Sequence, residues 1–166
     1  MPAPADNLSR SPTVPRLLTL PLGLVPHGAR TAVLAQILNR VFAPEIKDGE
    51  LDFLEQKVMR IGVDDARLNM RLTLSAGRIK PAPAQQPVDL SIDGSVYDFL
   101  LLATRREDPD TLFFNRRLRL GGSTELGLYV KNFLDGLELE DRLGPLLGAM
   151  NGATDILGRF GRTSRR

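Results

Sequence analysis

The chain contains no cysteine. Disulfide bonds, iron–sulfur ligation and thiol chemistry are therefore excluded. Its single histidine is His27, which removes most zinc sites and the usual Ser-His-Asp nucleophile arrangement. Aromatic residues make up only 5% of the sequence. They form no stacking platform among the basic residues, so nucleic acid is not an expected partner. No stretch reaches the roughly 18 consecutive apolar residues of a membrane span. Few catalytic routes remain.

What is present is a globular composition with one dominant cation. The 166 residues are 42% hydrophobic and 25% charged, enough for one domain with a real core and room for tails. Net charge is only +2, yet eighteen of the 22 basic residues are arginine. Arginine favours planar, bidentate anions such as phosphate or carboxylate.

Four regions follow from composition. Residues 1–15 are rich in Pro, Ser and Ala and are expected to be a disordered tail. Residues 16–29 form an apolar strap with Leu17, Leu18, Leu20, Leu22, Leu24 and Val25, in which Pro21 would break a long helix. No small-residue cleavage site follows, which argues against an interrupted signal peptide. The strap is either core cover or a segment lying on a membrane surface. The folded domain is placed at 30–138, and a Gly/Arg-rich tail at 139–166.

Within the domain, Val33, Leu34, Ile37, Leu38, Val41 and Phe42 recur at helical spacing. "DGELDFLE" (48–55) reads as a turn of helix. "KVMRIGV" and "RLNMRLTLS" alternate like half-buried strands. "GRIKPA" and "PVDLSIDG" add two more strands around a proline-rich loop at 81–87. A helix then starts near Ser95, and Asp108-Pro109 caps and opens a short one. "RRLRLGG" is a fifth strand and "STELGLYVKNFLDGL" the last helix. The expected class is α+β, a five-stranded antiparallel-rich sheet covered by helices.

The run Phe99-Leu100-Leu101-Leu102 covers most directions of its helix, so that helix must be covered on both sides. One side can face the sheet; the other needs a helix, a lipid or a partner. The stripe Leu126, Tyr129, Val130, Phe133 and Leu137 supplies part of the cover, while Leu128 falls on the polar side. Phe113 and Phe114 are adjacent rings that cannot both enter one core. All this is either ordinary packing or the wall of a lipid cavity. The candidate lining residues are Phe99, Leu102, Phe113, Phe114, Leu126, Tyr129, Val130 and Phe133. Burial of an acyl or isoprenoid chain would contribute about 0.8 kcal/mol per methylene.

Chemistry is poorly supported elsewhere. The acidic groups Asp48/Glu50/Asp52, Asp64/Asp65, Glu107/Asp108/Asp110 and Glu138/Glu140/Asp141 flank turns or helix starts, where acids cap helices or face water. No nucleophile or metal set accompanies them, so no catalytic or metal-ligating residue is assigned. "RLRLGGSTELG" places Gly122 and Ser123 at a helix start, where Arg105 or Arg116 nearby would suit a lipid headgroup. An ordinary capped turn explains the same residues. Gly144, Gly148 and Gly152 fall at four-residue spacing. The chain then ends with Arg159, Arg162, Arg165 and Arg166, a pattern suited to an anionic lipid surface or to a frayed tail.

"DFLLLATRREDPDTLFFNRRLRLGGSTELGLYVKNFLDGLE" (98–138) and "DGELDFLE" resemble the sterol carrier protein type-two family. Within it, the resemblance is to accessory factors of oxygen-independent ubiquinone biosynthesis in bacteria. It covers roughly residues 30–138 and implies helices over a curved sheet, enclosing an apolar lipid cavity. It implies a bound lipid, either a polyprenylated quinone precursor or a membrane phospholipid, with no other cofactor and no catalysis. The implied partners are a UbiU–UbiV-type hydroxylase and other ubiquinone-biosynthesis proteins; the arginine-rich C-terminal segment adds an anionic membrane surface as an expected partner. The implied location is the cytoplasm, peripheral at the inner membrane.

Overall fold

The computed structural model describes residues 26–138 and 140–163. The expected tail at 1–15, the strap leucines Leu17, Leu18, Leu20, Leu22 and Leu24 with Val25, and the terminal Arg165 and Arg166 lie outside the described residues. Helix α1 (His27–Val41) opens after Pro26, inside the stretch expected as strap. It ends where the helical spacing of apolar residues ends, at Val41–Phe42. Pro44 lacks an N–H and clashes with the preceding turn. Phe42 leaves helical geometry (φ −100, ψ 18), and a short α2 (Ala43–Lys47) restarts beyond it. A 3-10 turn at Asp52–Leu54 leads into the sheet.

Strands β1 (Val58–Val63), β2 (Leu68–Ser75), β3 (Arg78–Pro81), β4 (Leu90–Gly94) and β5 (Arg119–Gly122) form one sheet in the order β3-β2-β1-β4-β5. Only the β1–β4 pair is parallel. Register makes the two faces chemically distinct. Met59↔Leu72, Ile61↔Met70 and Val63↔Leu68 on one side of the ladder continue to Leu90 and Ile92 on the other. Side chains opposite one another share a face, so this face is apolar throughout. The outer face carries Arg60 opposite Arg71, a like-charge pair that needs compensation. Arg60 reaches Asp93 at 2.7 Å, across Gly62, where a Cβ would lie 2.1 Å from Asp93 Oδ1. Arg71 donates instead to the Ala84 and Gln86 carbonyls of the loop that leads from β3 to β4.

The apolar face is roofed by α1, α3 (Val96–Ala103) and α5 (Thr124–Gly136), and α4 (Pro109–Phe114) packs beside α3 and α5. Directional polar contacts fasten this roof at its edges. The Asn39 side chain donates to Ile79 O at 2.7 Å and accepts from Ile79 N at 2.8 Å. It thereby pairs α1 with β3 as a strand neighbour would. Ser95 and Asp98 form a capping box at the start of α3. Asp98, 2% exposed, also accepts from Arg117 Nε at 2.7 Å and Nη2 at 2.5 Å. The Arg117 guanidinium lies 5.6 Å over the Tyr97 ring. This knot holds α3 to the segment that enters β5.

The C-terminal segment corrects the expected tail. Residues Glu140–Thr163 are helical (α6), broken at Gly144 (φ 38, ψ −122), and α6 packs on α3. Thr154 and Leu157 are 1% and 5% exposed. Arg106 binds Asn151 Oδ1 at 3.0 Å and Asp155 Oδ1 at 2.5 Å. The second cover that α3 requires therefore comes from α6 and α4. Glycines scattered along α6 lower its helix propensity, which hid it in the sequence. A Cβ at Gly148 or Gly152 would meet nothing within 4 Å, so these two form no close-packing stripe. Among the described residues no helix is long and apolar enough to cross a membrane.

Asp98→Ala is expected to cost about 3–5 kcal/mol, the scale for removing one partner of a buried pair. Urea denaturation monitored by circular dichroism measures it. A loss under about 1 kcal/mol, typical of exposed pairs, would mean that the knot contributes little in solution.

Candidate functional site

Roof and sheet do not close on each other. Between them lies a cavity of ≈ 420 Å³. Its floor is the apolar sheet face, including Met59, Ile61, Met70 and Ile92. α1 contributes Leu34, Ile37, Leu38 and Val41; α3 contributes Phe99, Leu100 and Leu102; α5 contributes Val130, Phe133 and Leu134. Phe42 meets Phe133 edge-on, with centroids 5.4 Å apart. Ile37 lines the space and is 43% exposed, so the cavity reaches the surface along α1. With almost no polar group to hold it, water gains little there, and an apolar occupant gains by contact.

Arg105 is the one charged or polar side chain among the described lining residues. It sits just past α3 in a left-handed conformation (φ 52). Its Nη2 donates to Leu134 O at 2.9 Å, to Asp135 O at 3.4 Å and to Leu137 O. These carbonyls end α5, where a helix leaves acceptors unsatisfied and favours a cation. The guanidinium expected to bind a headgroup thus clamps the end of one wall helix to the end of another.

The other expected residues divide. Phe99, Leu102, Val130 and Phe133 stand in the cavity wall. Leu126 packs on the core cluster around Leu90 and Val130 and does not line the cavity. Phe113 packs with Leu101, Leu112 and Leu118. Phe114 is 88% exposed: of two adjacent rings on a short helix, only one can face inward. Tyr129 is 46% exposed, its ring 5.5 Å from that of Phe53. Arg116 is exposed and outside the wall. Gly122 (φ 86) would place a Cβ 2.4 Å from Asp89 O. Ser123 N donates to Asp89 O, and Ser123 Oγ accepts from Leu126 N. That turn caps α5 and joins it to β4; it does not line the cavity.

The wall residues of α1 and the sheet floor were not among the expected lining residues. Their signal was present as helical spacing and strand alternation, which core and cavity wall share. The acids take structural roles where their contacts are defined. Asp65 accepts from Val96 N at 2.9 Å, Asp108 from Thr111 N at 3.1 Å, and Asp64 pairs with Arg119 at 2.6 Å. The hydrogen bond to Asp64 raises the Arg119 pKa. Among the described residues one group of carboxylates has metal-ligand proximity, Asp108, Asp110 and Asp135, and all three are exposed.

Comparison with known proteins gives the following. Residues 34–135 match the SCP-2 sterol transfer family. Over 127 residues the chain is 45% identical to "Ubiquinone biosynthesis accessory factor UbiT" of Escherichia coli (strain K12), covering 76% of this chain and 72% of that protein. The same figures hold for the UbiT of Escherichia coli O157:H7. Among solved structures, "UbiJ-SCP2 Ubiquinone synthesis protein" superposes with a TM-score of 0.52 at 16% identity, covering 64% of this chain and 94% of the other. The likeness to that structure is one of fold.

Arg105→Ala is expected to lower stability by about 1.5–3 kcal/mol, the scale for hydrogen bonds to a charged group. The loss should localise to the last turn of α5, read as faster amide exchange near Phe133–Leu137, with Arg105→Lys intermediate. Uniform or unchanged exchange would show that the clamp does not hold this wall.

Proposed function

The chain belongs to the SCP-2 sterol transfer family, and on that premise we propose that it is a lipid-binding accessory protein of ubiquinone biosynthesis. It holds a polyprenylated quinone precursor or a membrane phospholipid and presents the precursor to a hydroxylase of the UbiU–UbiV type. The observation that carries this reading is the ≈ 420 Å³ cavity, whose described lining residues are apolar except for Arg105. Each methylene moved from water into such a space contributes about 0.8 kcal/mol, so a hydrocarbon tail binds without specific polar contacts. On this reading the protein is a carrier and not an enzyme; among the described lining residues the one charged side chain is Arg105. The runner-up is a general phospholipid carrier unrelated to quinones. It differs in cargo, not in mechanism.

Mass spectrometry of lipids extracted from the purified protein tests this. A quinone intermediate or a phospholipid is expected in the wild type. Phe133→Asp, which puts a charge in the wall, should abolish co-purification. Phe133→Ala should keep it, since lipid fills the space left. An empty wild type, with Phe133→Ala losing about 3–5 kcal/mol as in a packed core, would overturn the cavity reading. Chemical change of the bound lipid by the purified protein alone would overturn the carrier role.

Delivery requires contact with a bilayer, because free apolar precursors are scarce in water. The protein is accordingly placed in the cytoplasm with peripheral contact to the inner membrane. The strap residues and the C-terminal arginines supply apolar burial and a screened attraction to anionic headgroups, respectively. In vesicle flotation, binding should be stronger on anionic than on neutral vesicles and reduced by salt. Deleting residues 1–26 should weaken it more than deleting 159–166. A full chain that never floats would rule out this membrane contact.

A further inference from the structure

The α4–α5 pair carries an apolar patch that the cavity does not use. Phe114 is 88% exposed, Leu128 57% and Tyr129 46%, and none of the three lines the cavity. Their relative placement follows from the charged groups. Lys131 Nζ reaches Asp110 Oδ1 at 2.5 Å, and carboxylate oxygens of Asp108, Asp110 and Asp135 lie within 4.8 Å of one another. The start of α4 therefore lies against the C-terminal half of α5. Phe114 lies one turn after Asp110 on α4, and Leu128 one turn before Lys131 on α5, so each exposed side chain is a turn away from the ion pair that joins the helices. Tyr129 extends the patch towards Phe53.

An exposed aromatic cluster with a charged rim has the anatomy of a protein interface. The rim selects the occupant. Asp108, Asp110, Glu125 and Asp135 are all exposed on α4, its N-cap and α5. The only cation on the two helices is Lys131, and it is already paired with Asp110. Arg116, just past α4, is the next cation along the chain. The chain as a whole has the opposite sign, with net charge +2 and pI ≈ 9.3. This acidic locus repels an anionic bilayer and attracts a basic protein surface.

We propose that the α4–α5 patch docks a protein partner presenting an apolar pocket ringed by Lys or Arg, with Phe114 as the inserted anchor. The patch lies outside the cavity wall, so a partner and a bound lipid are held at the same time. The proposal does not depend on which lipid fills the cavity.

The test places the photo-crosslinker benzoylphenylalanine at position 114 of the full chain, with position 88 as an exposed control, and irradiates the cells that produce it. Crosslinked peptides are mapped by mass spectrometry, and the partner so found is purified. Its Kd is then measured for the wild type, for Phe114→Ala and for the triple variant Asp110→Asn, Glu125→Gln, Asp135→Asn. The expected result is a crosslink from 114 but not 88 to a partner segment flanked by Lys or Arg. Each variant should bind about tenfold more weakly or worse, as for a hot-spot anchor and its rim, with unchanged circular dichroism. An adduct with lipid, an adduct with a second copy of this chain, no adduct above the control, or a Kd unaffected by both variants overturns the proposal.

Discussion

The roof of this domain is fastened to its sheet by directional polar bonds at the margins, and the cavity depends on that. Apolar attraction is non-directional and would draw α1, α3 and α5 onto the sheet. Hydrogen bonds set distances. Asn39 fixes α1 to the β3 edge through Ile79. Asp98 and Arg117 fix the start of α3, and Arg105 fixes its end to the end of α5. With helices pinned at their ends, their middle residues line a space they do not fill. Phe99, Leu38 and Phe133 therefore serve as wall, although each is of a type that normally packs to closure.

An unfilled apolar space forfeits dispersion contacts. A hydrocarbon occupant restores them, and binding to the folded state alone stabilises it in proportion to the logarithm of ligand concentration. A hydrocarbon occupant would for this reason couple its own binding to the stability of the fold. Among the described lining residues the one cation is Arg105. Arg105 is satisfied by backbone carbonyls and so introduces no unpaired charge into the space.

The outer surface is organised by charge. On the sheet, Gly62 leaves the room in which Arg60 and Asp93 meet, and the proline-rich loop absorbs Arg71. On the helices, acids gather beside exposed Phe114 and Leu128. One face neutralises its own arginines, while the other gathers acids around exposed rings with Lys131, already paired to Asp110, as the one cation on its two helices.

Local patterns in the sequence determined most of the elements. Alternation marked β1 and β2. The Asp108-Pro109 pair and Ser95 marked helix starts, and the order of elements gave the α+β class, because each is a short-range property of backbone and side chain. Residues 98–138 also carried the family resemblance. Three matters were decided only by tertiary structure. Whether apolar residues at helical spacing become core or cavity wall depends on how far apart the elements are pinned, through Asn39, Asp98 and Arg105, whose partners lie far along the chain. Which of Phe113 and Phe114 is buried depends on where α4 meets the Leu112–Leu118 cluster. The glycine-rich segment after residue 139 becomes α6 because α3 offers an apolar side that needs cover. Propensity describes a residue and its neighbours; the stabilisation here comes from surfaces brought together across the whole chain.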